Sequence, residues 1–485
     1  MPKKELYELH PLGWESDPLD ERFKLSTLDY VTAQVFTAYA VFFKLPDIQK
    51  ANVVSVLRRG LEITLSQCRQ LCGVIEEHPD GGFCFHKKRD STVQFHVQWL
   101  DSDEDRDKYP SFDELEKNHF VSQALGDMKT WCVDPMTYGE KLEAQPTSHP
   151  KAAAFKANFI RGGLVFVMHH HHYANDVMGW AGELHQLAEN CVAIWRSPER
   201  PEFPPWDPAC LDYSRVTKPD PPDDQRVAGP TTQPLRHADH RTGQWLLFHL
   251  PKSKTEELKR LATPEDNSYW ISSYDAYMAY IWRMLSKHRA KLFEVDPTKG
   301  LEWGEAVDMR RRFHNPPVPK RTQGNIVLAA SSDRSPVPRL TAKEVISEAP
   351  FPKLAWYIRQ LTNSITQESL DAILTAIAPI RDKTFLFYRT DSLPPMSNFT
   401  SDWRMTHVPD ADFGFAKPHA FRFPFDTVTS GLSVVQPVRT VDPPAGDDEG
   451  NEILISFEKE IFKDLIEDPD WNKYFEFRGV DCQES

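Results

Sequence analysis

The sequence predicts a two-domain protein of the α/β or α+β class. A chain of 485 residues is too long for one ordinary hydrophobic core, so two domains are expected. Stretches typical of strands and of helices alternate on both sides of residues 197–244, and this segment carries ten prolines among polar residues. That density excludes a long helix or a central strand. We therefore expect an N-terminal domain over 1–210, a proline-rich linker over 211–244 and a C-terminal domain over 245–485.

Two helices and a strand pair are predicted in the first half. Apolar residues recur at steps of three and four over 50–72 and again over 177–195, which is the spacing of a helix with one buried face. Between them, residues 155–168 have the composition of extended chain. Gly162 and Gly163 interrupt this stretch and predict a turn between two strands.

The second half repeats the alternation of strands and helices. Ser253 and Glu256 have the spacing of a capping box, which predicts that a helix begins there. The other predicted elements are a strand at 245–250, a helix at 274–285, strands near 325–330 and 385–389, a strand at 453–457 and a helix near 458–467.

Composition limits the classes of function that are open. The net charge of −14, from 57 basic and 71 acidic side chains, argues against nucleic acid as the main ligand. No stretch reaches the roughly 18 apolar residues of a membrane span. The seven cysteines are scattered without paired zinc spacing, as in reduced thiols of an intracellular protein. We expect a cytoplasmic monomer that acts on small molecules.

The most informative segment is a run of four histidines, His169 to His172, at the end of an apolar stretch, with Asp176 four residues further on. Catalytic side chains are often displayed at strand ends. Imidazole titrates near neutral pH and can accept a proton from an alcohol or amine. Two other interpretations are a packed set of structural histidines and a zinc site, although no second ligand cluster follows at a useful spacing.

The segment from His171 to Asp176 resembles the HHxxxD motif of CoA-dependent acyltransferases and of peptide-synthetase condensation domains. Further motifs in the expected order make the resemblance to the BAHD acyltransferases specific, and the opening after Pro11 looks most like fungal members related to trichothecene O-acetyltransferases. These motifs are LSxxD at Leu25–Asp29, SxxDA at Ser272–Ala276, VDxRxR at Val307–Arg312, GN at Gly324–Asn325, NxTSW at Asn398–Trp403 with one residue inserted, and DFGWGKP at Asp412–Pro418.

The resemblance implies a fold and an activity. The fold would be two chloramphenicol-acetyltransferase-like domains, each a mixed sheet with flanking helices, with a channel between them. The activity would be transfer of an acyl group, with acetyl favoured, from acyl-CoA to a hydroxyl of a secondary metabolite. Acyl-CoA is then a co-substrate, and neither a metal nor a tightly bound cofactor is implied.

The resemblance also implies roles for particular residues. His172 would be the general base, with a rate that rises with pH through a pKa near neutrality, and Asp176 would shape the catalytic loop. His169 and His170 lie outside the motif and are expected to tolerate substitution. The other candidates are Thr400, Ser401 and Trp403 for the oxyanion or for positioning, Asp412, Gly414 and Arg310 for structure with Asp412 paired to Arg310, and Ser272, Ser273 and Asn325 for contact with CoA. For the two serines a helix N-cap is the other interpretation.

The chain departs from the family pattern at Phe415 and Ala416, which replace Trp and Gly in the DFG-containing segment. Alanine does not share the backbone freedom of glycine, so the resemblance alone does not give the backbone conformation of this loop. Two rival functions remain. One is a condensation-type enzyme that forms amides, which would lack the DFG-containing segment, and the other is a degenerate member that binds a ligand without turnover.

Overall fold

The computed structural model describes residues 2–266, 268–423, 426–439 and 448–484. Within these ranges the chain forms sixteen strands and eleven α-helices. The strands are β1 (Lys3–Leu9), β2 (Asp20–Lys24), β3 (Phe36–Lys44), β4 (Val74–Glu77), β5 (Phe83–Lys88), β6 (Val93–Trp99), β7 (Ala153–Ile160), β8 (Gly163–His171), β9 (Gly243–Leu250), β10 (Trp303–Asp308), β11 (Val327–Ser331), β12 (Asn398–Asp402), β13 (Ala420–Arg422), β14 (Leu432–Val435), β15 (Asn451–Glu458) and β16 (Glu476–Gln483). The helices are α1 (Lys50–Gln67), α2 (Phe112–Lys117), α3 (Ser122–Leu125), α4 (Met128–Trp131), α5 (Val177–Arg196), α6 (Lys252–Ala262), α7 (Ser273–Leu292), α8 (Phe351–Ser364), α9 (Gln367–Ile377), α10 (Phe462–Ile466) and α11 (Pro469–Asn472).

Two large mixed sheets organise the molecule. The first has the strand order β1-β6-β7-β8-β3-β13, the second has the order β11-β10-β12-β14-β15-β9-β16, and a small sheet is formed by β2-β5-β4. Parallel pairs, such as β6 with β7 and β10 with β12, occur among antiparallel ones. The two-domain α/β fold predicted from the sequence is therefore confirmed.

The central hairpin of the first sheet is buried on both faces. In β8, residues such as Phe166 and Met168 pack with α1 and α5, while Val165 and Val167 pack on the opposite side with residues of α2 to α4. This double burial explains the nearly continuous apolar run that precedes the histidines. Every residue of β8 is buried, so the three histidines at its end are placed in the interior.

The helices of the second half form a layer of their own. The helices α6, α7 and α8 pack against one another, and α8 contacts β10 and β11. Across the described ranges, none of the helices combines the length and the apolarity that crossing a bilayer requires.

One strand crosses between the two halves of the sequence. The strand β13 pairs antiparallel with β3 of the first sheet, with Ala420 opposite Phe42. No single cut in the sequence therefore separates the two sheets. We propose domains at 1–210 and 245–485, with 211–244 as the linker, and β13 as a strand that the second domain contributes to the first sheet.

The proline-rich segment contains only short turns of 3-10 helix, at Pro208–Leu211, Ser214–Val216 and Asp223–Gln225. It begins after α5 ends at Arg196 and reaches to β9. This is the irregular structure that its proline density predicts.

Two local predictions are wrong. Residues 385–389 form no strand, because their aromatic side chains face a cavity, and the backbone N–H of Tyr388 donates to the carbonyl of Val31 at 3.0 Å. The capping box at Ser253 is also absent. The helix α6 already begins at Lys252, and the backbone N–H of Ser253 donates to the carboxylate of Asp448 at 2.7 Å instead.

Candidate active site

A cavity of about 1080 Å³ lies between the two halves of the chain and is lined by both. The first half contributes residues 31–35, 138–142 and 176–178 together with His172. The second half contributes residues of β10, β11 and β12 and the irregular aromatic segment at 385–391. A cavity of this size can hold a small organic molecule and part of a second one.

Of the four consecutive histidines, His172 is the one that lines this cavity. It follows the last residue of β8, and its backbone N–H donates to the carbonyl of Val35 at 2.9 Å. Its side chain is partly exposed, whereas His169, His170 and His171 are fully buried. The motif residue predicted to be the base is therefore the imidazole that a substrate can reach.

His169 and His171 have structural partners on both ring nitrogens. In His169, Nδ1–H donates to the carbonyl of Met136 at 2.8 Å, and Nε2 accepts from the backbone N–H of Val133 at 3.2 Å. In His171, Nε2–H donates to the carbonyl of Ala144 at 2.9 Å, and Nδ1 accepts from the N–H of Tyr173 at 3.1 Å. Burial lowers the pKa of each ring to about 3, so both are neutral.

His170 points to the opposite face of β8, as strand alternation requires. Its Nε2 lies 2.9 Å from the carboxylate of Glu183 on α5, and both side chains are buried. Replacing His169 or His170 would leave buried polar partners unsatisfied, which costs about 1–3 kcal/mol for each such group. Substitution at these two positions is therefore expected to lower stability, and the greater tolerance of turnover expected there, relative to His172, stays a prediction.

If His172 is the general base, its environment sets the expected pH dependence of the reaction. Burial lowers the pKa of its imidazole below the ordinary value of 6.5, while its own carbonyl group, Asp176 and Asn325 oppose this shift. A base must be unprotonated to act, so a lower pKa keeps it active at lower pH. We expect kcat/KM to be level from neutral pH upward and to fall on acidification below 6.5. A steady-state pH profile tests this, and a rise centred above pH 7 would contradict it.

Asp176 organises the loop that carries His172. It is the N-cap of α5, where Oδ1 accepts from the N–H of Gly179 at 2.7 Å. Its Oδ2 accepts from Nη1 of Arg310 at 3.0 Å and from the N–H of Ile326 at 2.8 Å. Within the described ranges, the carboxylate makes no hydrogen bond to the imidazole of His172. The geometry supports a loop-shaping role that also ties the two halves together.

Arg310 does not pair with Asp412, and that prediction is wrong. Its guanidinium binds the carboxylates of Asp176 and Asp308, each at 3.0 Å, and donates to the carbonyls of Thr322 and Gly324, each at 2.8 Å. These hydrogen bonds hold the guanidinium group of Arg310 beside the loop that carries His172. The carboxylate of Asp412 instead accepts from the backbone N–H of Gly414 at 2.8 Å.

The DFG-containing segment forms a tight loop that packs on the first domain. Phe413 and Phe415 contact Phe43 of β3, with ring centroids 5.0 and 5.5 Å apart. Gly414 has φ +83°, and a Cβ there would lie 2.7 Å from the side chain of Trp195, so only glycine fits. The positive φ falls on Gly414 and not on Ala416, which explains why alanine is accepted at the position where the family has glycine.

On β12 the structure distinguishes the two hydroxyl candidates. Ser401 lines the cavity, whereas Thr400 is fully buried on the other side of the strand, with Oγ1 3.8 Å from the sulfur of Met278. Thr400 is therefore wrong as an oxyanion candidate, because strand alternation turns it away from the cavity. Trp403 also lines the cavity, and its indole N–H donates to Oγ of Ser401 at 2.7 Å.

Two of the three residues proposed to contact CoA, Ser272 and Asn325, have other partners. Ser272 is the N-cap of α7, with Oγ accepting from the N–H of Asp275 at 3.2 Å, so the helix-cap interpretation is confirmed. Neither Ser272 nor Ser273 lines the described cavity. Asn325 is buried and donates to the carbonyls of His172 and Tyr173 at 2.9 and 3.0 Å, so its amide is engaged with the catalytic loop rather than with the cavity.

Sequence comparisons identify the family. Residues 157–470, more than half of the chain, match the model described as the Transferase family. Residues 35–191 match the model described as the trichothecene 3-O-acetyltransferase-like N-terminal domain. The chain belongs to the Transferase family of BAHD-type, CoA-dependent acyltransferases. The resemblance inferred from the ordered motifs is confirmed.

Relatives of this acyltransferase include one of high identity. The acetyltransferase FGR3 of Gibberella zeae is 54% identical over 481 residues, which cover 99% of this chain and 95% of the relative. The crystal structure of TRI101 from F. sporotrichioides, complexed with coenzyme A and T-2, has a TM-score of 0.74 at 22% identity and covers 95% of this chain and 100% of that chain. Vinorine synthase has a TM-score of 0.63 at 19% identity and covers 95% of each chain. The two structures establish the fold.

Metal ligation is not supported by the arrangement of the histidines. Across the described ranges, no three His, Cys, Asp or Glu side chains are placed to hold a metal ion together. The ring nitrogens of His169 and His171 already have backbone partners, and His170 faces Glu183.

Two features of this acyltransferase site do not follow from the sequence: the aromatic wall of the cavity and the contact between Asp29 and Asn325. The segment 385–389 is predicted from the sequence as a strand, whereas Phe385, Phe387 and Tyr388 of this segment line the cavity. Asp29 was recognised as a motif residue, but its contact with Asn325 at 2.9 Å joins segments almost 300 residues apart. The sequence signal for Asp29 is its match to the LSxxD motif, and such a match does not identify the residue that the side chain contacts.

Proposed function

We propose that this protein transfers an acyl group, with acetyl favoured, from acyl-CoA to a hydroxyl of a fungal secondary metabolite. The observation that carries the proposal is the placement of His172 as the accessible imidazole of the histidine run, in a cavity walled by both domains. The names of the relatives support the choice of donor and acceptor class, since FGR3 is an acetyltransferase and TRI101 was crystallised with coenzyme A and T-2.

In the proposed reaction, His172 removes the proton of the acceptor hydroxyl as its oxygen attacks the thioester carbonyl. A tetrahedral intermediate forms with its negative charge on the former carbonyl oxygen. The C–S bond then breaks, the ester is released, and the proton held by His172 passes to the thiolate of CoA. The overall change is an alcohol and a thioester giving an ester and a thiol.

Ser401 is the proposed donor to the oxyanion. Its oxygen accepts from the indole N–H of Trp403 at 2.7 Å, which leaves its own O–H proton to be donated into the cavity. A preorganised donor aimed at the developing charge is worth roughly 3–4 kcal/mol. Trp403 is thus a positioning residue for Ser401 in this proposal.

Direct transfer in a ternary complex accounts for a cavity shared by the two domains. The volume of about 1080 Å³ allows the acyl thioester and the acceptor to meet at His172 without a covalent acyl-enzyme. Amide formation on a carrier-bound substrate is not favoured, because the chain has the DFG-containing segment of the Transferase family. The proposed enzyme is a cytoplasmic monomer.

Incubation with acetyl-CoA and a fungal metabolite extract tests the proposed activity. We expect mass spectrometry to show products heavier than their precursors by one acetyl group, formed only when enzyme and acetyl-CoA are both present. Equal product formation in a reaction without enzyme, or release of CoA with no new ester, would count against O-acetylation.

A further inference from the structure

One buried amide connects the catalytic loop to the N-terminal segment of the chain. Nδ2 of Asn325 lies 2.9 Å from the carbonyl oxygen of His172, 3.0 Å from that of Tyr173 and 2.9 Å from Oδ1 of Asp29. Its side chain is 1% exposed. The two N–H groups of the amide are thus shared among three oxygens, one of which belongs to the base itself.

Asp29 is held in turn by its own surroundings. Its Oδ2 accepts from the backbone N–H of Ser26 at 2.7 Å, and its own N–H donates to Oγ of Ser26 at 3.2 Å. Its carbonyl accepts from Oγ1 of Thr32 at 2.6 Å. These contacts close a compact turn, so Asp29 presents a fixed oxygen to Asn325.

The backbone of His172 is consequently held from both directions. The N–H of His172 donates to the carbonyl of Val35, which lies three residues after the turn at Ser26–Thr32. The carbonyl of His172 accepts from Nδ2 of Asn325 in the second domain. Because both peptide groups are fixed, the Cα–Cβ bond of His172 has a defined direction and the ring is aimed at the cavity. A base displaced by about 1 Å can lose 10²-fold in rate.

We propose that Asn325 and Asp29 are positioning residues for His172, with Asn325 holding the carbonyl of the base and Asp29 holding Asn325. This inference rests on the proposed function of His172. Neither side chain lines the described cavity, so neither is proposed to touch the reacting atoms. In this proposal, Asp29 of the LSxxD motif and Asn325 of the GN motif together hold His172 in position.

The test measures release of CoA thiol from acetyl-CoA in the presence of the metabolite fraction that gives an ester. Asn325→Ala should lower kcat by about 10- to 100-fold, because the base loses its fixed orientation. The KM for acetyl-CoA should change little. In a double variant, Asp29→Ala should add almost nothing to Asn325→Ala, since residues that act through one contact are not additive.

Asn158→Ala is the matched control. Asn158 is equally buried, and its Nδ2 donates to two backbone carbonyls, those of Trp131 at 3.0 Å and Val165 at 3.2 Å, but it lies outside the cavity and the catalytic loop. It should lose stability without losing kcat per folded molecule. A loss of kcat equal to that of Asn325→Ala would overturn the positioning role.

Asp29→Asn is a second variant that tests the same proposal if Asn325→Ala does not fold. This change preserves shape but leaves one oxygen for two N–H donors, so kcat should still fall at unchanged KM. Wild-type kcat in Asp29→Asn, or effects that multiply in the double variant, would overturn the proposed chain of contacts. If His172→Ala keeps its turnover, the proposed function is wrong. If His172→Ala is inactive but the Asn325 and Asp29 variants keep wild-type kcat, the proposed function stands and only the positioning role is wrong.

Discussion

His172→Ala is expected to lower the turnover number for ester formation by roughly 10²–10⁴-fold, the range that general-base help supplies. The affinity for CoA should be nearly unchanged, because most of the binding energy of this co-substrate is expected from contacts to its phosphate and pantetheine groups, away from the imidazole. Steady-state kinetics and calorimetric titration with CoA measure the two quantities separately. The change removes the cavity-facing ring and leaves the buried histidines in place.

His185→Ala is a suitable control for that experiment. His185 is a partly buried histidine on α5 whose Nε2–H donates to the carbonyl of Thr406 at 2.9 Å, and it does not line the described cavity. Its replacement should keep turnover within a few-fold of wild type. Turnover retained by His172→Ala, or lost equally in His185→Ala, would mean that His172 is not the base.

Arg310→Ala is expected to lower the free energy of unfolding by about 3–5 kcal/mol, because it leaves the buried carboxylate of Asp176 and the half-buried one of Asp308 without their cation. Arg310 is 9% exposed and Asp176 is 6% exposed. The same change removes donors from the carbonyls of Thr322 and Gly324. Denaturant unfolding followed by tryptophan fluorescence measures the loss.

Asp412→Ala is the comparison for Arg310→Ala. The carboxylate of Asp412 accepts one backbone hydrogen bond, from Gly414, and its residue is partly exposed. Its removal should cost only about 1 kcal/mol. The pairing of Asp412 with Arg310 expected from the sequence would instead make this loss about 3–5 kcal/mol. A larger loss in Asp412→Ala than in Arg310→Ala would contradict the observed pairing of Arg310 with Asp176.

Local patterns predicted much of the fold. The hairpin of β7 and β8 was predicted because a glycine pair interrupts two apolar runs, and α5 because its apolar residues recur at helical spacing. The aromatic run at 385–388 shows the limit of this approach. A short apolar run has the same composition whether it pairs in a sheet or lines a cavity, and only tertiary structure distinguishes the two.

The cavity-facing histidine was predictable from the sequence, and the contacts that hold it were not. The HHxxxD pattern selected His172 because a motif records chemistry at fixed spacing. The partner of Arg310 was assigned wrongly, since two aspartates far apart in sequence, Asp176 and Asp412, were both available to it. The buried positions of His169 and His170 depend on long-range partners such as Met136 and Glu183, which no local pattern reveals.

Transfer of an isotopically labelled acetyl group is the most direct test of the central claim. Wild-type protein and His172→Ala are each incubated with labelled acetyl-CoA, first alone and then with the metabolite extract. The account predicts no label on the wild-type protein before the extract is added, then one labelled ester for each CoA thiol released, and almost no ester with His172→Ala. Label bound covalently to the protein before the acceptor arrives, or ester formed by His172→Ala at the wild-type rate, would contradict it.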